Sequence, residues 1–570
     1  MSSQDDIICK SCDNICTNIL YKWCRLCTIN NLKENFTNWT SGNEKIDDFI
    51  QKMQLKIKGY DDIIVEWIPY DQFNNVRKIN KDGFSTAIWK DGLLKYDEKE
   101  MKYKRISNIE VSLKFLINSQ NIINEISNEA KAYSIQKHDY DIPKIYGISQ
   151  NPDTNDYIIV LNDSYCKECG EIYMMYLAKK WCKPCQINGL RQNFVNWTSG
   201  NEKIDNFIQK TQLKINSYLN TIVEWIPYDQ FNNIKEIGKG GFATVYLAIW
   251  KDGPLGYHHF ETKYVRKPNK KVALKCLHNS QNITNEFLNE VDSYSINVYS
   301  RVLRICGISQ NPDTNNYIIV LEYANVGNLN NYNKNIRNHD WNIKYSILRE
   351  IVIGLKNIHE NNVVHRDFHT GNILVSINNG GLNEIYISDM GLCGEVSNID
   401  KTKIYGVMPF VAPEVLRGKP YNQAADIYSF GMIMYNIATG RQPFANCAHD
   451  SILALNICNG KRPEINEQET PKFYIDLMKN CWDPDPDKRP SAIEIENLLI
   501  NSFHDDEIKK QIEKAEEYRK KNFLSTGNSQ SIHPQAYYTS RLLNQFTKEL
   551  PKHDDTYNIS AEVIDFTDSI

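Results

Sequence analysis

The sequence predicts an α+β chain. A β-rich lobe leads into a helical lobe, and two small cysteine-held units and a shortened first copy of the β-rich lobe precede them. Three observations predict it. Two Cys-x-x-Cys pairs open each of two copies of one repeated unit. A glycine-rich turn, Gly238-Lys239-Gly240-Gly241-Phe242, precedes a lysine among apolar residues, Val272-Ala273-Leu274-Lys275. A loop, His365-Arg366-Asp367-Phe368-His369-Thr370-Gly371-Asn372, sets a carboxylate and an amide close together. Asp389-Met390-Gly391 and Ala412-Pro413-Glu414 follow it.

The 570 residues allow three or four domains, and a hydrophobic content of 41% supports packed cores. A net charge of −4 provides no global basic surface for nucleic acid or an anionic membrane. Met1 to Lys10 is polar and acidic, unlike a signal peptide. No run of about 18 apolar residues predicts a membrane span. The expected compartment is the cytoplasm, with the nucleus as the alternative. Fifteen cysteines in a reducing compartment do not form a disulfide framework, and eight of them fall in paired spacings that point to metal.

The repeat organises the first half. Asn38 to Lys45 returns as Asn196 to Lys203, and Glu66 to Phe73 returns as Glu224 to Phe231. Residues 1–37 are expected to form the first cysteine unit, around Cys9, Cys12, Cys24 and Cys27. Residues 163–195 form the second, around Cys166, Cys169, Cys182 and Cys185. Thiolates paired across a tight turn hold one tetrahedral Zn2+, and four protein ligands close the site, so the predicted zinc is structural. Ordinary buried thiols are the plain alternative, and the duplicated spacing argues against them. Cys16 has no counterpart and is read as a spare thiol. Modest basic clusters (Lys10, Lys22, Arg25; Lys167, Lys179, Lys180, Lys183) flank the pairs; fold-stapling or protein docking outweighs nucleic-acid binding. A helical connector follows each unit, over 38–69 and 196–227. In the second, Ile204, Phe207, Ile208, Leu213 and Ile215 recur at loose helical spacing, with Glu202 and Asp205 in the first turn. Residues 70–162 carry the shortened lobe, 228–502 the complete two-lobed domain, and 503–570 a charged helix and a flexible tail.

In the complete domain, Ile234 to Tyr246 reads as strand, glycine turn, strand. Glycine lets backbone N–H groups approach phosphate oxygens. The motifs quoted above, in this order, resemble a eukaryotic protein kinase domain over about residues 228 to 500. Cys481-Trp482, Arg489-Pro490 and Ser429-Phe430-Gly431 resemble the tyrosine-kinase-like group of serine/threonine kinases. With Tyr405 to Pro409 and the Glu224-Trp225-Ile226-Pro227 lead-in, the chain is similar to expanded kinase-like families of some fungi.

The resemblance implies a bilobal fold, ATP and Mg2+ as cofactors, and protein substrates phosphorylated on serine or threonine in signalling. It implies that Ile237, Gly238, Lys239, Gly240, Gly241, Phe242, Val245, Ala273, Leu321, Glu322, Ala324 and Leu374 surround ATP, with Leu321 as gatekeeper. Lys275 binds phosphate and pairs with Glu290, for which Glu286 is the rival one turn earlier. Asp367 orients the attacking hydroxyl, and Asn372 and Asp389 hold Mg2+ through oxygen. Glu414, Arg489 and Asp426 are structural. Ser397, Thr402 and Tyr405 are candidate phosphosites, and Arg366 is the group that phosphate on Thr402 would pair with.

Two positions depart from the family pattern. His369 stands where serine/threonine kinases carry lysine, and Val407 where they carry threonine. Both losses weaken electrostatic stabilisation at the transferring phosphate. They support a second reading, a weakly active or inactive pseudokinase acting as a nucleotide-binding scaffold. The first copy has Asn80 and Asp82 in place of Gly238 and Gly240. It keeps Lys114 and Glu129 as the counterparts of Lys275 and Glu290, but stops at Asn162 with no catalytic loop. It is expected to be inert, either a docking lobe or a remnant of duplication. In the tail, Arg541 to Phe546 is a candidate short docking motif within a weakly ordered segment.

Overall fold

Continuous apolar runs decide where the strands lie. In Ile158-Ile159-Val160-Leu161, successive side chains enter two different clusters, so both faces of the strand are buried. The same holds for Ile318-Ile319-Val320-Leu321. The computed structural model describes residues 8–9, 11–79, 83–97, 99–116, 126, 133, 143–176, 179–240, 243–278, 280–281, 287–288, 291, 301–336, 339–377, 383–390, 394–395, 403–502, 505–522, 532–548 and 550. The chain divides into two units. One comprises Met1–Asn196, Leu213–Tyr218 and Tyr257–Val265; the other comprises Trp197–Gln212, Leu219–Gly256 and Arg266–Ile570.

In the first unit, α1 (Arg25–Glu34) starts directly after Cys24, and α2 (Glu44–Gln54) is capped by the Asn43 side chain. Ile46, Ile50 and Met53 of α2 form a buried stripe at helical spacing. They pack on a six-stranded sheet of β1 (Glu66–Trp67), β2 (Phe73–Lys78), β3 (Phe84–Trp89), β4 (Ile109–Leu116), β5 (Ile145–Gln150) and β6 (Tyr157–Asn162). The spatial order is β1-β5-β6-β4-β3-β2. Helix α3 (Lys183–Gln192) starts directly after Cys182 and carries Cys185.

In the second unit, α4 (Glu202–Leu213) buries Ile204 and Ile208 against a second sheet. That sheet contains β7 (Glu224–Trp225), β8 (Phe231–Lys239), β9 (Ala243–Trp250), β10 (Lys270–Leu277), β11 (Ile305–Gln310) and β12 (Tyr317–Glu322). Its order, β7-β11-β12-β10-β9-β8, repeats the order of the first sheet strand for strand. Helix α4 ends at Leu213, so Ile215, read as part of the helical run, is buried just beyond it.

The rest of this unit is largely helical. It begins with the small sheet β13 (Gly327–Asn328), β14 (Ile373–Ile377) and β15 (Asn383–Ile387). Helix α5 (Trp341–Glu360) precedes the loop at 365–372. Helix α6 (Gln423–Thr439) is apolar nearly all round and is buried from Ala425 to Ala438, as a central core helix must be. Helices α7 (Ser451–Cys458), α8 (Lys472–Cys481) and α9 (Ala492–Ser502) pack around it.

The tail departs from expectation. The charged run forms α10 (Asp506–Asn522), but it is docked: Glu516 accepts from the Trp341 N–H at 2.7 Å and Gln511 from the Phe473 N–H at 2.9 Å. The charged helix was expected to lead into a flexible tail, with Arg541 to Phe546 as a candidate docking motif. Strand β17 (Arg541–Leu542) instead pairs with β16 (Tyr405–Gly406), α11 (Asn544–Thr547) follows, and Leu543 is fully buried. A single apolar pair, Leu542-Leu543, has no periodicity from which sequence reading could infer burial. Among the described residues, no helix is long and apolar enough to cross a membrane.

Candidate active site

The loop 365–372 is anchored by a buried carboxylate. Asp426 of α6 is 1% exposed; it accepts from the His365 N–H at 2.8 Å and the Arg366 N–H at 3.1 Å, and lies 3.0 Å from His359 Nε2. These contacts hold Arg366 at φ 67°, in the left-handed region that a non-glycine residue occupies only when its surroundings impose it. His365 is fully buried. Its Nδ1 accepts from the Asp367 N–H at 3.3 Å and its Nε2 meets the Ser388 carbonyl at 3.1 Å, which assigns the ring proton to Nε2. Ser388 in turn donates its N–H and hydroxyl to the Asn372 carbonyl, at 2.8 and 3.0 Å. The loop and the strand that delivers Asp389 are thereby fixed to each other.

Asp367 and Asn372 face each other across the loop. The Asn372 amide nitrogen donates to the Asp367 carbonyl at 2.9 Å and lies 3.4 Å from Asp367 Oδ2. With that nitrogen engaged, the amide oxygen is the ligand atom left for a cation. Asp367 Oδ1 is buried and has no hydrogen bond to the described protein; His369 Nε2 stands 3.5 Å away. A buried carboxylate oxygen held in this state is matched to an incoming hydroxyl donor. His369 Nδ1 accepts from the Gly371 N–H at 3.0 Å, so the neutral ring carries its proton on Nε2, directed at Asp367. A Cβ at Gly371 would lie 2.6 Å from the His369 ring, so the ring's position requires glycine there.

Lys275 reaches this cluster from the sheet. It is 6% exposed, and its ammonium lies 2.7 Å from Asp389 Oδ1. Partial burial would raise the Asp389 carboxyl, whose side chain is half exposed, but the Lys275 charge and hydrogen bond outweigh it and hold the carboxyl below its ordinary value. Asp389 also sits at φ 59°.

Register places the other predicted residues. Val245 stands opposite Lys275 and Gly238, and Ala273 opposite Leu321. Ala273 and Leu321 belong to one buried cluster, against which Val245 and Leu374 pack. Ala324 is buried, while Ile237, Lys239 and Gly240 are exposed. Glu322 is half-buried, 3.9 Å from Arg304. Glu414 and Arg489 form a bidentate buried pair at 2.7 and 2.9 Å. Gly241, Phe242, Glu286, Glu290, Gly391, Ser397 and Thr402 lie outside the described residues, as do Asn80, Asp82 and Glu129 of the first copy. Tyr405 is described and sits in β16. Lys114 of the first sheet lies over the Phe84 ring at 5.7 Å.

Sequence reasoning missed three features: the Lys275–Asp389 contact, the His359–Asp426 contact and the Glu224–Arg266 ion pair at 2.6 Å. The first two join residues far apart in sequence and leave no local signal. The third had one, because Glu66 and Arg105 make the same pair at 2.7 Å in the first copy.

The two cysteine clusters are assembled. Cys9 and Cys27 sulfurs lie 3.6 Å apart, as do those of Cys12 and Cys24; in the second cluster Cys166–Cys185 is 3.7 Å and Cys169–Cys182 is 3.3 Å. All four sulfurs of each cluster lie within 4.8 Å of one another. Thiolates bound to zinc at about 2.3 Å in a tetrahedron stand roughly 3.8 Å apart, so either cluster fits that ion. Cys16 is buried beside the first cluster, and burial raises its thiol.

Residues 231–499 match the family described as protein tyrosine and serine/threonine kinase. A probable serine/threonine-protein kinase of Dictyostelium discoideum is 29% identical over 310 residues, covering 52% of this chain and 21% of that protein. The probable serine/threonine-protein kinase roco8 of the same organism is 34% identical over 238 residues, 39% of this chain and 12% of that one. The dual specificity protein kinase pyk3, also from Dictyostelium, is 29% identical over 308 residues, with 52% and 21% covered. The chain thus spans about a fifth or less of the length of these relatives. Residues 231–499 are thus similar to a protein kinase domain, with serine/threonine kinases among the similar proteins.

Proposed function

We propose that this chain is a serine/threonine protein kinase of the tyrosine-kinase-like group, transferring the γ-phosphoryl group of ATP to protein hydroxyls in intracellular signalling. The observation that carries the reading is the buried Asp367 carboxylate, whose Oδ1 has no hydrogen bond within the described protein and faces His369 Nε2 at 3.5 Å, beside Asn372 and the Lys275–Asp389 contact. Asp367 accepts the hydrogen bond of the acceptor hydroxyl and aligns its oxygen for in-line attack. Lys275 binds phosphate oxygens of ATP, exchanging part of its contact with Asp389 for them. The adenine lies among Val245, Ala273, Leu321, Ala324 and Leu374. Asn372 and Asp389 would hold Mg2+, whose charge supports the phosphates when bound. His369 Nε2–H takes the place of an ammonium near Asp367, which lowers the charge at the transferring phosphate.

The two cysteine clusters are read as structural zinc sites, since four thiolates leave no open position. Thiols maintained in this state fit the reducing cytoplasm. The shared strand order of the two sheets supports reading residues 70–162 as a duplicated lobe without its helical partner.

One observation favours a second reading. His369 and Val407 replace the groups that touch phosphate in the resemblance, and this fits a nucleotide-binding scaffold. Incubation with labelled ATP, Mg2+ and a protein acceptor, followed by phosphoamino-acid analysis, separates the two. Label on serine or threonine supports the kinase. A melting temperature raised by ATP with no label transferred supports the scaffold.

A further inference from the structure

The chain's own tail is seated on the segment that borders Asp367. Strand β17 pairs antiparallel with β16, Leu542 opposite Tyr405 and Arg541 opposite Gly406. The Leu543 N–H donates to the Ile404 carbonyl at 2.7 Å, and the Ile404 N–H donates to Asn544 Oδ1 at 2.9 Å. Upstream, the tail is fastened to His449. The His449 N–H donates to the Gln535 carbonyl at 3.0 Å, the Tyr537 N–H donates to His449 Nδ1 at 3.1 Å, and the Arg541 guanidinium donates to the His449 carbonyl at 2.7 Å. The Tyr538 hydroxyl donates to the Pro443 carbonyl at 2.8 Å. The Arg541 guanidinium also lies over the Tyr537 and Phe546 rings at 4.6 and 4.7 Å, which stiffens the strap. Leu543 and Leu550 are buried in the same core as the helices.

The strand it covers adjoins the proposed catalytic carboxylate. Gly406 has φ 143°, and a Cβ there would lie 3.7 Å from Asp367 Oδ1 and 2.9 Å from Val411 Cγ2. An extended protein substrate that brings a hydroxyl to Asp367 must run past Gly406. The main-chain groups of 404–406 are the edge it would pair with. One strand edge takes one partner, about 4.8 Å away. We propose that residues 532–548 are an intramolecular occupant of the protein-substrate surface, competing with protein acceptors and leaving ATP access unchanged. The proposal rests on the kinase reading above.

The test uses the full chain with Leu543→Asp, which sets a charge in the buried position, and with the milder Asn544→Ala, which removes only the hydrogen bond to Ile404. With dephosphorylated casein as acceptor, both variants should show a KM for casein lowered roughly tenfold or more, because the displaced strap acts at high effective concentration. The KM for ATP should stay constant. A synthetic peptide of residues 536–548 should inhibit Asn544→Ala competitively against casein and non-competitively against ATP. An unchanged KM for casein in a folded Asn544→Ala protein overturns the proposal, as does a loss of kcat in both variants, which would make the strap a support. If no protein transfers phosphate, the kinase reading fails and the strap is judged by binding. Fluorescent 536–548 peptide that binds Leu543→Asp and not the wild type supports occupancy, and equal binding to both refutes it.

Discussion

Asp426, Glu414 and Arg489 show how single buried charges hold the helical part of the second unit. Each is satisfied: Asp426 by two backbone N–H groups and an imidazole, and Arg489 by a bidentate carboxylate together with the Asp483 and Ala424 carbonyls. Removing one partner leaves a buried charge uncompensated, which costs about 3–5 kcal/mol. Glu414→Gln should therefore lower the unfolding free energy in urea by that order, followed by tryptophan fluorescence. A loss under about 1 kcal/mol would show that Arg489 finds other partners. These three residues were legible in the sequence because their motifs name them. The partner of Asp426, His359, was not, since nothing local marks an imidazole that serves α6 from the end of α5. The orientation of His369 was likewise illegible: sequence shows that lysine is missing, but only the Gly371 N–H on Nδ1 assigns the proton to the side facing Asp367.

At the scale of elements, the connector helices and the cysteine turns carry the clearest tests. Asp205 accepts from the Ser199 N–H at 2.9 Å, the Ser199 hydroxyl at 2.5 Å and the Thr198 hydroxyl at 2.6 Å, tying the chain to the start of α4. Burial would raise its carboxyl, but those hydrogen bonds outweigh burial and hold it below its ordinary value. A depressed carboxyl stabilises the fold above its unfolded pKa, near 4, and that stability is lost as pH falls through the folded value. Asp205→Asn should cost about 1 kcal/mol at pH 7 and converge with the wild type at strongly acidic pH. A difference that stays constant with pH would remove the charge from the explanation. The signal was present in the sequence: Thr198-Ser199-Gly200-Asn201 with Asp205 repeats as Thr40-Ser41-Gly42-Asn43 with Asp47, which makes the same bonds.

The cysteine clusters predict two equivalents of zinc per chain by elemental analysis, falling to one in Cys24→Ser or in Cys182→Ser. Strong chelation should release both and unfold the turns, because metal binding and folding of such sites are linked. Recovery of the full two equivalents from either variant would rule out the four-thiolate assignment. Spacing exposed both clusters in advance, whereas the burial of Cys16 against the first one had no counterpart in the second copy to reveal it.

At the scale of the molecule, the repeated sequence segments account for most of what was legible in advance. Two sheets with one strand order follow from two copies of one apolar pattern, and a run such as Tyr317 to Leu321 marks a central strand wherever it occurs. The tail showed in the sequence only as the candidate docking motif Arg541 to Phe546, because its anchors are backbone pairs, contacts from Tyr538, Arg541 and Asn544 and two separated leucines, chosen by tertiary contact and not by local propensity. The two units also differ in what they contain: the first holds both cysteine clusters, and the second holds Lys275, Asp367, Asn372 and Asp389.

Phosphate transfer by this second unit is proposed to run through Asp367. Autophosphorylation with labelled ATP and Mg2+, comparing the wild type with Asp367→Asn, tests it most directly. The wild type should be labelled, and Asp367→Asn should be labelled roughly 10²–10⁴-fold more slowly, with the ATP-induced rise in melting temperature retained in both. Equal labelling of the two proteins, or none in either while ATP still stabilises both, would contradict it.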